Sequence, residues 1–226
     1  MVAGSFINDE REDWERTFGI CWYGVYYTAR AFMPLLVASK EGHLINTSSI
    51  NGFWASLGPG FPHTAYSAAK FAVKGFSEAL VIDLRLNAPH VKVSVVMPGH
   101  IGTNIAINSG KVLGKPEPMD MPAEEVAKLR ALMIRRGLPV DNITDDAIRA
   151  LIKQRGEKFR DNAPTTPNQA AEIILDGVRQ NRWRILVGED AHAIDAQVRA
   201  TPEEAYETSF LDQLHADGHL GIADSR

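Results

Sequence analysis

Tyr66-Ser67-Ala68-Ala69-Lys70 decides the fold, because the serine pair Ser48-Ser49 stands just upstream of it at the end of an apolar run, His43-Leu44-Ile45-Asn46-Thr47. A tyrosine and a lysine four residues apart on a helix share one face. A phenol titrates near pH ~10 and is a poor base until a neighbouring cation stabilises its ionised form. The pair therefore suits a group that passes a proton to or from an alcohol or carbonyl oxygen. A lone Tyr-x-x-x-Lys match is weak evidence, and the residues around it carry the weight.

Those residues read as strand, loop, helix, strand. His43–Thr47 is rich in strand formers. Gly52, Gly58, Pro59, Gly60 and Pro62 mark a loop. From Thr64 to about Leu86, Ala68, Phe71, Ala72, Gly75, Phe76, Ala79 and Leu80 recur at helical spacing. Val91-Lys92-Val93-Ser94-Val95-Val96-Met97 then reads as a buried strand, stopped by Pro98-Gly99. Two strands joined by a helix form a parallel βαβ unit. Ligands of open α/β sheets bind at the carboxyl ends of the strands, where Ser49 and Gly99 fall, with Tyr66 opening the helix between them.

Taken together, Ser49, Tyr66-x-x-x-Lys70 and Pro98-Gly99-His100-Ile101-Gly102-Thr103 resemble the active-site half of the short-chain dehydrogenase/reductase family. The resemblance runs from about Asp13 to Ala191. It implies a Rossmann-like doubly wound α/β sheet and hydride transfer between NAD or NADP and an alcohol or ketone. By position, it implies that Ser49 hydrogen-bonds the substrate oxygen and Tyr66 donates or accepts the proton. Lys70 would hold the nicotinamide ribose and lower the Tyr66 pKa. Ile101 and Thr103, after Pro98 and Gly99, would contact the carboxamide. Ser48 competes with Ser49, and the family pattern favours the second of the pair.

Two departures accompany the match. The family's fold opens with a strand, a Gly-rich turn and a helix that hold the cofactor pyrophosphate. Residues 1–20 contain Gly4 and Gly19 and no such pattern, although Met1-Val2-Ala3-Gly4 echoes the end of a later family strand. The chain is thus expected to be the back two-thirds of the domain, to bind cofactor weakly alone, and to leave NAD and NADP undistinguished. The second departure is Cys21. The segment from Asp13-Trp14 to Gly24-Val25 resembles the family helix that carries a catalytic asparagine, and Cys21 holds that position. A thiol donates and accepts hydrogen bonds only weakly, which puts the family's proton relay through that residue in question.

Length and charge narrow the class. A chain of 226 residues supports one domain with a sizeable core. A net charge of −4 without a basic block gives no sign of nucleic-acid binding. One cysteine precludes an internal disulfide and fits the reducing cytoplasm. No apolar run approaches the ~18 residues of a membrane span, and no signal-peptide pattern opens the chain.

The first helix, about Asp9 to Ser39, carries a stripe of Trp14, Phe18, Cys21, Val25, Ala29, Phe32 and Leu36, widened by Trp22, Tyr23, Tyr26, Tyr27 and Met33. A helix apolar nearly all round must bury a second surface. A subunit interface is the preferred reading, and the resemblance implies a homodimer or homotetramer built on this helix and the next. Residues 104–165 hold two short helices, Pro122–Gly137 and Thr144–Gly156, whose Met119, Met121, Leu129, Leu132, Met133, Ile148 and Leu151 are read as an apolar substrate lid. Thr166-Pro167-Asn168-Gln169 opens a helix with a capping box, Arg184–Val187 is the last strand, and Thr201-Pro202-Glu203-Glu204 caps a terminal helix. His215 and His219 have the spacing of paired metal ligands, but Asp217-Gly218 between them reads as surface tail, and no metal is assigned. Two other readings remain. One is a non-catalytic relative that serves as a dimerising partner subunit. The other is the epimerase/dehydratase branch that shares Tyr-x-x-x-Lys, against which the Pro98–Thr103 pattern argues.

Overall fold

Among the described residues, three parallel strands lie in the order β1-β2-β3: β1 (Gly42–Thr47), β2 (Val91–Pro98) and β3 (Arg184–Val187). The computed structural model describes residues 4–58, 62–112, 114–135 and 137–218, with the side chain of residue 112 left out. Met1–Ala3, Pro59, Gly60 and His219 of the sequence reading lie outside them. Gly42 pairs with Val91 through Thr47 with Val96, and Val95 pairs with Arg184 through Pro98 with Val187. A rise of ~3.3 Å per residue and alternating side chains divide β2 between two faces. Val91 and Val93 pack with Leu44 under Met33, Leu36, Leu80 and Leu84 of helices α2 (Gly24–Ala38) and α3 (Thr64–Asn87). Val96, with Ile185 and Val187, packs under Ala170, Ile174 and Val178 of α7 (Pro167–Arg179). Close packing of α7 depends on Gly177, because a Cβ there would meet Ile185 Cγ1 at 2.7 Å. Beyond β3, helices α8 (Glu189–Ala200) and α9 (Thr208–Ala216) bury Trp54, whose indole donates to Ala205 O at 2.7 Å.

The expected strands and the Thr64 helix are present with ends shifted by a residue or two. The first helix is not continuous. α1 (Arg11–Phe18) passes into a π-helical turn, Gly19–Tyr23, before α2 begins at Gly24. Such a turn inserts an extra residue and rotates everything after it. Ala29, Met33 and Leu36 consequently face the sheet, while Phe32, expected on that face, is 55 % exposed. Tyr23, Tyr26, Tyr27 and Leu35 join it on the outside.

The segment after β2 also differs from expectation. It adds an unforeseen helix, α4 (Ile105–Val112), ahead of α5 (Ala123–Arg135) and α6 (Asp145–Asp161). Gly156 does not end α6. It lets α6 approach α4, because a Cβ there would meet Ile107 Cγ1 at 3.1 Å. Met133 and Ile148 close a small core between α5 and α6 with Val126 and Val140. Arg130 ties that core by donating to Val140 O at 2.9 Å and Ile143 O at 2.6 Å. Pro202–Glu204 forms one short 3-10 turn, and the terminal helix begins later, at Thr208.

Candidate active site

The carboxyl ends of β1 and β2 and the first turn of α3 meet at one place. Ser48 continues the β1 pairing through its N–H to Val96 O at 2.8 Å, and its hydroxyl donates to Lys70 O at 2.8 Å. That bond fastens Ser48 to α3 and commits its side chain to scaffold. Ser49, next along an extended backbone, points the opposite way. Its hydroxyl accepts from Asn51 N–H at 3.2 Å and hydrogen-bonds the Tyr66 phenol. The structure thus separates two serines that the sequence left in competition.

Lys70 lies one helical turn beyond Tyr66. Its Nζ donates to Thr47 O at 2.9 Å and stands 5.4 Å from the centre of the Tyr66 ring. Ser49, Tyr66 and Lys70, expected together, are brought together. Burial raises the Tyr66 pKa, and the Ser49 hydrogen bond pulls it back in part. Burial likewise lowers that of Lys70. Desolvation thus sets the direction of the Tyr66 shift in this state. In this state the phenol is protonated at neutral pH.

Cys21 approaches the pair from the π-helical turn. Burial raises its thiol pKa and the Lys70 charge lowers it. The thiol, half-buried, remains a thiol.

The loop after β2 lies at the same edge of the sheet. Gly99 N–H donates to Val187 O at 2.9 Å, Gly102 N–H donates to Thr165 O at 2.9 Å, and Ile101 bridges Thr165 in parallel pairing. Pro98, Gly99, Ile101 and Thr103 therefore occupy the sheet's carboxyl edge, fixed between β3 and the strand-like residue that precedes α7.

Three residues near the site escaped the sequence reading. His63 sets its ring edge-on to Tyr66 at 4.7 Å, and burial lowers its pKa to about 4. The Ser67 hydroxyl is buried without a hydrogen-bond partner. Asp190, the second residue of α8, reaches back to the loop after β2. The only signal for Asp190 in the sequence is a carboxylate following Gly188, which also reads as an ordinary helix start. Among the described residues, no cluster of histidine, cysteine and carboxylate side chains is arranged to hold a metal ion, and no helix is long and apolar enough to cross a membrane.

A doubly wound α/β sheet with serine, tyrosine and lysine converging at its carboxyl edge defines the class. The profile of the family described as short chain dehydrogenase matches residues 2–112. SadH of Mycobacterium tuberculosis, named as an oxidoreductase, is 31% identical over 198 residues, covering 87% of this chain and 57% of that protein. A 3-ketodihydrosphingosine reductase of Bacteroides thetaiotaomicron is 38% identical over 87 residues, 38% of this chain and 30% of that protein. Among solved structures, a short-chain dehydrogenase/reductase of Burkholderia phymatum in complex with NAD shares the fold at a TM-score of 0.56. It is 23% identical, and the match covers 90% of this chain and 62% of that one. A short-chain dehydrogenase of Burkholderia cenocepacia in complex with NADP shares it at a TM-score of 0.55. It is 17% identical, with 88% and 59% covered. The chain belongs to the short-chain dehydrogenase/reductase family. It spans 57% or less of the length of these two curated relatives.

Proposed function

We propose that this protein is an NAD- or NADP-linked oxidoreductase that interconverts a secondary alcohol and a ketone. The observation that carries this reading is the convergence of Ser49, Tyr66 and Lys70 beside the loop after β2. Tyr66, protonated and hydrogen-bonded to Ser49, is poised to give its proton to a carbonyl oxygen as a carbon–hydrogen bond forms at the carbonyl carbon. Ser49 holds the same oxygen. In the reverse direction the substrate hydroxyl proton returns to Tyr66 as the carbon–oxygen double bond forms. The resting protonation state serves ketone reduction.

The donor set fits a nicotinamide ribose. An ammonium has three N–H bonds; Lys70 gives one to Thr47 O, and two remain for ribose hydroxyls. A bound nicotinamide cofactor supplies the hydride donor or acceptor. Ile101 and Thr103, with Pro98 and Gly99 shaping the loop, lie where its carboxamide would be held. Among the described residues no Gly-rich turn opens a helix to cradle a pyrophosphate. Affinity carried by the nicotinamide half alone is expected near millimolar. The choice between NAD and NADP stays open.

Residues 104–165 form the substrate lid in this reading, and the reductase of Bacteroides thetaiotaomicron, named for a keto substrate, supports a ketone. The exposed face of α2 pairs two copies as a homo-oligomer, and the reducing cytoplasm suits the single Cys21. That same face, with no phosphate cradle among the described residues, also favours a second reading as a dimerising subunit without turnover of its own. Turnover assays with both cofactors over a panel of secondary ketones separate the two. Activity that depends on Tyr66 supports the enzyme, and association without activity supports the subunit.

A further inference from the structure

Asp190 is buried, at 5% exposure, in the first turn of α8. Burying a carboxylate is costly unless strong donors meet it. Its Oδ2 accepts the backbone N–H of His100 at 2.6 Å. Among the described residues its Oδ1 has no hydrogen-bond partner, and no ion pair reaches the carboxylate. The bond to His100 is thus the strong tie that the carboxylate makes, and it crosses from α8 to the loop after β2.

The surroundings are built around that tie. A Cβ on Gly99 or on Gly188 would overlap the Asp190 carboxylate. Gly188 takes φ 103°, which favours glycine, and so lets α8 begin directly beneath the loop. His100 is itself buried, at 3% exposure. Its Nε2 donates to Phe159 O at 2.6 Å, and its ring packs 4.3 Å from the Phe159 ring in α6. Gly102 lies against the end of α6 as well, where a Cβ would meet Arg160 O at 2.6 Å. The loop is held from below by α8 and from the side by α6.

We propose that Asp190 is a positioning residue: acting through the His100 amide, it sets the backbone of the Pro98–Thr103 loop and joins that loop to α8. Its consequence for cofactor binding rests on the proposed function, in which Ile101 and Thr103 face the nicotinamide. Burial raises the Asp190 pKa; the His100 amide is the first of the influences that pull it back, followed by the Ala191 amide at the start of its own helix.

The test compares the parent chain with Asp190→Asn, Asp190→Leu and Asp190→Ser by amide hydrogen exchange, with circular dichroism as the control for folding. Asparagine retains an acceptor of the same reach. Leucine keeps the volume and removes the acceptor, and serine is too short to deliver one. Losing a hydrogen bond to a charged group is expected to speed exchange of the loop amides about tenfold or more in the leucine and serine variants. Exchange in α3 should stay at the parent rate, and Asp190→Asn should stay within about threefold of parent. Unchanged loop exchange in a folded leucine or serine variant overturns the proposal. So does acceleration spread equally over α3 that asparagine fails to rescue. If leucine prevents folding, the serine variant decides on the same criteria. Titrations with NAD and NADP separate the two readings. A parent that binds neither, with the exchange pattern as expected, defeats the cofactor reading and leaves the positioning role standing.

Discussion

Replacing Gly52 with alanine should damage the site from within its scaffold. Gly52 closes the 3-10 turn that follows Ser49 and abuts α3. A Cβ there would overlap Ser48 Oγ and meet Lys70 O at 2.8 Å and Met97 Cε at 3.2 Å. The Met97 methyl can move, but the Lys70 carbonyl belongs to helix backbone and cannot. Overpacking of this kind costs about 1–3 kcal/mol. Displacing Ser48 also breaks its bond to Lys70 O, worth about 1 kcal/mol. The sum, about 2–4 kcal/mol, lowers the melting temperature of a chain this size by about 5–15 °C. The internal control is Gly75→Ala, on the exposed face of α3, where nothing lies within 4 Å of the added Cβ. Alanine there should stabilise by about 0.5–1 kcal/mol, since a helical glycine costs that much. Urea unfolding followed by far-ultraviolet circular dichroism reads both variants. A Gly52→Ala protein within about 0.5 kcal/mol of parent, or two shifts of the same sign, would refute the packing argument.

Two further predictions concern association and pH. Tyr27 and Leu35, 62% and 66% exposed on α2, are assigned to the homo-oligomer contact; Tyr27→Glu with Leu35→Glu should yield monomers in sedimentation, whereas a parent already monomeric at tens of micromolar would contradict the assignment. His63 is held neutral down to about pH 4, so the unfolded chain takes up a proton near its ordinary value of 6.5 that the folded chain refuses. Stability should therefore fall as pH drops from about 6.5 to about 4, by at most about 3 kcal/mol, and level off below. His63→Gln should flatten that limb of the urea midpoint against pH, and an unchanged limb would count against the assignment.

The sequence and the structure agree where short-range rules act alone. Alternation and β-branching in Val91–Met97, helical spacing from Thr64, and glycine and proline after β1 locate the βαβ unit within a residue or two. That unit carries the Ser49–Tyr66–Lys70 geometry. The π-helical turn at Gly19–Tyr23 could not be seen, because one extra residue in a turn leaves the apolar spacing on either side intact. Its effect is to move Phe32 outward and bring Met33 inward. Glycine usually breaks helices, so the sequence places a helix end at Gly156. Here a close approach of α4 requires it. The apolar residues of 104–165 are legible as a set able to line a cover, but the small core that Met133 and Ile148 share is not. Asp190 acts through a contact to a segment far along the chain, and composition holds no trace of it, whereas His63 meets Tyr66 only three residues on, where α3 begins. The direction of the Tyr66 shift lies beyond the sequence for a related reason. Sequence supplies the nearby cation, while burial, which sets the sign, belongs to the fold.

The most direct test of the proposed chemistry is steady-state turnover of secondary ketones at millimolar NADH or NADPH, by the parent chain and by Tyr66→Phe. That substitution removes only the proton-transferring hydroxyl and its bond to Ser49. The account predicts measurable turnover by the parent and a loss of about 10²–10⁴-fold in the variant, with a circular dichroism spectrum like the parent's. A folded Tyr66→Phe protein that keeps the parent's rate would contradict the central claim. So would a folded parent that turns over no ketone with either cofactor.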